Sequence, residues 1–157
     1  MRVLRRRRRE SKTDYRSRIE LLKSNKTRLV VRKSNRYILA QFVTSKTAQD
    51  QVVVGCLSKE LLNKGWPKEL SGSLKSLPAA YLTGLMLAKK AKGKIDEAIV
   101  DIGLNRNVQK SRIYALVKGC VDGGIIIPCM KEALPSEEEL EKQEKTKTLV
   151  SKIKEKI

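Results

Sequence analysis

The sequence predicts an α/β sandwich built on a mixed sheet. Three observations predict it. Three runs rich in β-branched residues, Arg28–Lys33, Arg36–Val43 and Gln51–Leu57, follow one another through short links, which is the order of antiparallel neighbours. Two strongly apolar helical segments, 76–92 and 111–122, come after them. Between those helices lies a further strand-like run, 96–102, which must reach the sheet by a helical crossover and so pair in parallel. At 157 residues and 40% apolar content the chain has one core, flanked by a basic arm at 1–27 and a charged, helical tail at 135–157, with the α/β domain at 28–134.

Residues 1–12, MRVLRRRRRESK, have too little apolar content and too much like charge to fold alone, and order is expected only against a polyanion. Residues 13–24 have helical spacing, with Thr13 or Asp14 as the cap and Ile19 and Leu22 on one side. Tyr15 has two readings, a core anchor or a group that stacks on or hydrogen-bonds to RNA. The stretch 28–43 reads as a β-hairpin closed by Ser34 and Asn35, since Asn tolerates the left-handed backbone of tight turns. Its tip carries Arg32, Lys33 and Arg36. Ser45–Gln49 is a turn, and Gly55 marks a bulge or a close approach in the third strand. A short helical piece, 57–62, stops at Gly65-Trp66-Pro67, and Trp66 plugs the polar loop 68–75.

Ser76 caps the next helix, Pro78 sits in its first turn, and Gly93 ends it. Leu82, Leu85 and Met86 share one side of it and Tyr81, Gly84, Ala88 and Ala91 another, so it is deeply buried, with Gly84 close against the sheet. Ser111 caps the second helix, whose apolar face is Ile113, Leu116, Val117, Cys120 and Val121. Ile125–Ile127 is a candidate fifth strand. The tail opens with a capping box, Ser136 to Glu139, and its weak apolar stripe reads as a solvated helix that docks on a neighbouring molecule.

Charge sorts the function classes. The net charge is +18, and residues 1–46 hold 16 Lys/Arg against 3 Asp/Glu, whereas residues 128–157 balance at 7 each. Concentrated charge of one sign repels itself unless a polyanion screens it, so nucleic acid is the expected partner ahead of a membrane surface. Arg5–Arg9 forbids a signal-peptide core, and no run is long enough to span a bilayer. Aromatic residues are 4% of the chain, too few for recognition by base stacking across a sheet. Cys56, Cys120 and Cys129 lack metal-ligand spacing and read as buried thiols of a reducing compartment. With no histidine the serines have no activating base, and no phosphate-binding glycine motif occurs. Asp96, Asp101 and Asp122 are the one carboxylate set a metal-dependent nuclease could use, but each is explained by its place at a strand or helix end. No catalytic residue, metal, cofactor or small-molecule substrate is expected. The loop before the second helix carries Arg106, Lys110 and Arg112 at a helix N-terminus, which favours anions.

In order along the chain, RRRRRE, TDYRSRIELLKS, RLVVRKSN with AQFVT, SLPAAYLTGLMLA, EAIVDIGLN and KGCVDGGIIIP resemble the archaeal/eukaryotic branch of the large-subunit ribosomal protein eighteen family, over residues 2 to about 135. That resemblance implies a three-layer α/β/α sandwich of the ribonuclease-H-like type and no catalysis. It implies cytoplasmic ribosomes as the location. It implies binding to 5S rRNA and to large-subunit rRNA, beside neighbouring ribosomal proteins of the central protuberance. Carried over by position, the contacts are Arg5, Arg6, Arg7, Arg8, Arg9, Lys12, Tyr15 and Arg16 in the arm, and Arg32, Lys33, Ser34 and Asn35 at the tip, next to Arg36. The loop around Ser71 and Ser73 joins them, although SGSLKS departs from the Gly/Thr/Asn-rich stretch expected there. So does the loop from Asn105 through Arg106, Lys110 and Ser111 to Arg112. The tail matches no motif of the family. The rival reading is a nucleic-acid chaperone or chromatin protein without preference for sequence or structure.

Overall fold

The computed structural model describes residues 3–47, 49–141 and 144–156. In chain order its elements are α1 (Arg6–Arg9), α2 (Tyr15–Lys23), β1 (Arg28–Lys33), β2 (Ile38–Lys46), β3 (Gln49–Leu57), two 3₁₀ segments (Ser58–Lys64 and Lys68–Ser73), α3 (Leu77–Ala91), β4 (Ile99–Asp101), α4 (Arg112–Asp122), a 3₁₀ turn (Lys131–Ala133), α5 (Glu137–Glu141) and α6 (Glu144–Lys156). The sheet has the order β3-β2-β1-β4. The β1–β2 and β2–β3 pairs are antiparallel, while β4 joins β1 in parallel after the α3 crossover. This is the α/β sandwich with a mixed sheet that the pattern predicts.

Strand alternation decides the layers. Leu29 and Val31, Ile38, Ala40 and Phe42, and Cys56 point to one face and are buried in the core. α3 covers that face, and every residue from Pro78 to Ala88 is buried. α4 then packs along α3 at backbone distance. A Cβ on Gly84 would lie 2.1 Å from the carbonyl oxygen of Leu116, and one on Gly119 would lie 2.1 Å from that of Tyr81. Gly84 thus serves the contact with α4, not with the sheet as the sequence suggested, because the neighbouring helix supplies the close backbone. The second face of the sheet carries Arg28, Val30, Arg32 and Asp101, and α2 is tied to that side by the Arg18–Asp50 ion pair.

Several boundaries differ from the sequence reading. The hairpin reverses at Asn35–Arg36 rather than Ser34–Asn35, because the Ser34 N–H donates to the Tyr37 carbonyl (2.9 Å) and the Tyr37 N–H to Ser34 Oγ (2.9 Å). β2 runs through Ser45 and Lys46, so the expected turn shrinks to the neighbourhood of Thr47, at φ +51°. The bulge falls at Val53, where the register steps from Phe42↔Val54 to Val43↔Val52, and Gly55 pairs regularly with Gln41. β4 is three residues long. The candidate fifth strand reduces to one parallel bridge, Glu97↔Ile126, since three apolar residues before Pro128 cannot extend it. Ser76 and Ser111 occupy the N-cap positions, but neither hydroxyl makes a capping bond. Val121 is 36% exposed and lies off the apolar face of α4. Trp66 is buried as expected, its indole N–H donating to the Leu70 carbonyl (3.0 Å).

The tail is the largest correction. The Ser136–Glu139 capping box forms as read, with the Ser136 N–H on Glu139 Oε2 (3.0 Å) and the Glu139 N–H on Ser136 Oγ (3.3 Å). The helices beyond it do not wait for a neighbour. Leu140, Val150 and Ile153 are buried in the chain's own core, and Lys154 sits over the Tyr81 ring at 5.3 Å. Burying each such side chain is worth about 1.5–3 kcal/mol, so Leu140 anchors α5 and Val150 with Ile153 anchors α6 to the core.

Candidate nucleic-acid interface

The arm begins with one helical turn, Arg6–Arg9, that buries nothing. Arg5–Arg9 and Lys12 are exposed. Glu10 gathers two of these cations, Arg6 at 3.7 Å and Lys12 at 2.8 Å. Asp14 caps α2, taking the Ser17 hydroxyl (2.6 Å) and the Arg16 N–H (3.0 Å), and these donors hold its carboxyl below the usual range. Tyr15 is half-buried and outside the core, with the Arg5 guanidinium 4.9 Å from its ring centroid. Ile19 is 49% exposed, so α2 shows no deep apolar face, and Arg16 is exposed.

At the hairpin tip Lys33, Ser34, Asn35 and Arg36 are exposed. The Ser34 hydroxyl spends its hydrogen bonds on Tyr37, fixing the turn. Lys75, which sequence reasoning passed over, donates to the Asn35 carbonyl (2.8 Å) and so sets the 68–75 loop beside the tip. In that loop Ser71 is exposed, while the Ser73 hydroxyl donates to the Leu70 carbonyl (2.7 Å).

Arg32 behaves differently from its neighbours. Its Nη2 donates to Asp101 Oδ1 (2.8 Å), and its Nη1 to the carbonyls of Asp101 (2.8 Å) and Val31 (2.9 Å). The other oxygen of Asp101 takes Arg28 Nη1 (3.0 Å). Arg28, with 2% of its side chain exposed, reaches Asp50 Oδ1 (2.6 Å) and Ser45 Oγ (2.9 Å) from its second nitrogen. Asp50 in turn takes Arg18 Nη2 (3.0 Å) from α2 and the Ser45 hydroxyl. The result is a chain of alternating charge, Arg18–Asp50–Arg28–Asp101–Arg32, that runs from arm to hairpin across the second face of the sheet. Burial alone would raise the Asp50 pKa, but the Ser45 hydroxyl and the two arginines outweigh it and hold it low. No sequence motif announces this chain. The available signal was that Arg28, Val30 and Arg32 share one strand face with acids at Asp50 and Asp101.

The 105–112 loop divides in the same way. Arg106 and Arg112 are exposed. Asn105 uses its side-chain amide on the Ile102 carbonyl (2.7 Å), and Lys110, at φ +55°, pairs with Glu139 (2.9 Å). Ser111 is half-buried. The three candidate carboxylates are apart in chemistry as well as in sequence: Asp101 is held by two guanidiniums, Asp122 accepts the Tyr81 hydroxyl (2.9 Å), and Asp96 is exposed. Among the described residues no group of three His, Cys, Asp or Glu could hold a metal ion. Burial pushes the Cys56 thiol up to about 12 and raises that of Cys120 as well, so neither presents a thiolate.

This arrangement can do one thing well, which is to present cations at fixed separations to a polyanion. Known proteins with a similar sequence are ribosomal. Residues 1–98 match the model of the family described as ribosomal large subunit proteins 60S L5 and 50S L18. The large ribosomal subunit protein uL18 of Korarchaeum cryptofilum is 50% identical over 136 residues, covering 86% of this chain and 68% of that protein. The uL18 of Methanoregula boonei is 46% identical over 136 residues, 86% of this chain and 76% of that one. The chain belongs to this family. As a uL18-family member it is a structural protein of the cytoplasmic large ribosomal subunit, rRNA-binding and at work in translation. The family model's match, residues 1–98, takes in the arm, the hairpin and α3.

Proposed function

We propose that the chain binds 5S rRNA and helps attach it to large-subunit rRNA in the central protuberance, among the ribosomal proteins there. The observation that carries this reading is the placement of exposed cations. They sit on an arm (Arg5–Arg9, Lys12, Arg16), a hairpin tip (Lys33, Arg36) and a loop (Arg106 and Arg112), with the half-buried Lys75 beside the tip. Arg and Lys position the protein on phosphates, while Tyr15, Asn35 and Ser71 add contacts to sugar or base edges. Arg32, Ser34, Ser73, Asn105, Lys110 and Ser111 serve the site chiefly by shaping it. No step of bond making is needed, and no cofactor or metal enters.

The test is binding of the purified protein to homologous 5S rRNA against tRNA at one salt near physiological. A preference of about a hundredfold, or 2.7 kcal/mol, supports the reading. Equal binding overturns it and leaves general RNA binding. The Lys33→Ala/Arg36→Ala pair sharpens the result. It should weaken 5S rRNA binding about tenfold and leave binding to random duplex unchanged, whereas an unselective chaperone would lose equally on both.

A further inference from the structure

A cleft of about 540 Å³ opens between the arm and the β4 end of the sheet. That volume lies within the range of small-ligand sites. Its lining divides by chemistry. On the solvent side are the exposed cations Arg7, Lys12 and Arg16, which outnumber the exposed carboxylates Asp14 and Glu20, and on the inner side are the half-buried Leu21 and Ile102, with Arg32 beside them.

Arg32 gives the cleft its character. Its two terminal nitrogens are occupied by Asp101 Oδ1 and by the Asp101 and Val31 carbonyls. One face of its guanidinium is covered too. A Cβ on Gly103 would lie 2.8, 3.0 and 3.1 Å from Cζ, Nη1 and Nη2, and such near-equal distances put that point over the guanidinium plane. Gly103, at φ +61°, donates its N–H to Asp101 Oδ1 (3.0 Å), which locks the loop beneath the plane. Yet 42% of the Arg32 side chain remains exposed. With Asp101 and Val31 along its Nη edge and Gly103 on one face, the cation is held flat, and the face opposite Gly103 is the one left for a ligand. Three of its five N–H groups, including the forward-facing pair on Asp101, are already spent inside the protein, so the group serves first as a stacking platform.

We propose that this cleft receives one unstacked nucleotide. Its base lies against Arg32 and the apolar wall of Leu21 and Ile102, and its phosphate meets Arg7, Lys12 and Arg16. The inference rests on the RNA-binding reading above and deepens it. It turns part of the arm from a general counter-charge into one side of a pocket that selects an extruded base. A nucleotide unit can come from the RNA or from a free mononucleotide, and the two sources are separable.

The variant Leu104→Trp tests it. Leu104 lines the cleft and is 54% exposed, so the indole fills the space, removes no cation and leaves the core untouched. Ultraviolet cross-linking of the wild-type complex with 5S rRNA should attach a single nucleotide to residues 16–21 or 100–104. L104W should lose that cross-link and bind the RNA about tenfold more weakly, with the slope of affinity against salt unchanged, because the phosphate contacts remain. Adenosine 5′-monophosphate, titrated against both proteins by amide chemical shift, reads the free source. Shifts at Gly103 and Leu104 in the wild type alone, with RNA binding equal in both, would make the ligand a free nucleotide. Equality of the two proteins in both assays overturns the proposal. If 5S rRNA is not preferred over tRNA, the function proposed above falls; an equal loss by L104W on both RNAs, at constant slope, would still uphold the cleft.

Discussion

Arg5–Arg9 and the trio Arg18, Arg28 and Arg32 are the same residue type within the first third of one chain, and they do opposite work. The arm arginines bury nothing and lie in solvent. The trio alternates with Asp50 and Asp101 and fastens α2, β3, β1 and β4 to one another. Exposed pairs contribute roughly 0–1 kcal/mol, and a long-range field from exposed cations costs a little self-repulsion. A buried charge that loses its partner costs several times more. Net charge therefore says little about function until each cation is assigned to a partner inside the protein or left for one outside it.

The comparison can be broken at its buried end first. Arg28→Leu should cost about 3 kcal/mol, because it leaves the almost wholly buried Asp101 with Arg32 as its remaining guanidinium and Asp50 with Arg18. Urea denaturation reads it, and an Arg6→Ala control should stay within about 0.5 kcal/mol of wild type. An equal midpoint for R28L and wild type would mean that the network is decorative. At the exposed end, deletion of residues 1–12 should leave the urea midpoint alone and act on RNA instead. Each phosphate that the shortened protein no longer neutralises should take roughly 0.7–0.9 from the slope of log affinity against log salt, and affinity near 0.15 M salt should fall at least about tenfold. A filter-binding slope that does not change would remove the arm from the interface.

The smallest effect is in pH. The folded-state pKa of Asp50 is depressed, so its contribution is complete above the unfolded value of about 3.9 and is lost as pH falls through the folded value. Urea midpoints should hold from pH 7 to pH 5 and drop toward pH 3, and Asp50→Asn should flatten that drop. A full-sized acid transition in D50N would assign it to other carboxylates, Glu60 first, whose pKa is also low because Lys90 and the Leu57 N–H outweigh the effect of burial.

What the sequence made legible was local. The β-branched runs, the Pro78 and Gly93 punctuation of α3 and the Ser136 capping box each act through neighbours a few residues away, and each is where it was read. The misreadings share a cause, since each depends on a surface that the sequence does not display. The tail's stripe of Val150 and Ile153 is too narrow to announce a partner, and its partner is the side of α3 around Tyr81. Gly84 signalled close approach but could not say to what. Ile125–Ile127 had strand composition, yet only one residue finds a neighbour to pair with. In the interface the exposed cations were visible as a count, while Arg32 read as one more tip charge because Asp101 lies 69 residues away. Lys75 was missed for the same reason: nothing near it in sequence hints at Asn35.

The contact between α3 and α4 carries a consequence for how this sequence can drift. Two side chains that touch can change together, one shrinking as the other grows. Gly84 and Gly119 each touch main chain, the carbonyls of Leu116 and Tyr81, and no substitution alters a carbonyl. Neither position has a partner able to compensate for it. Across descendants of this chain the two sites should therefore hold still one by one, without covarying, while the side chains around them trade volume freely.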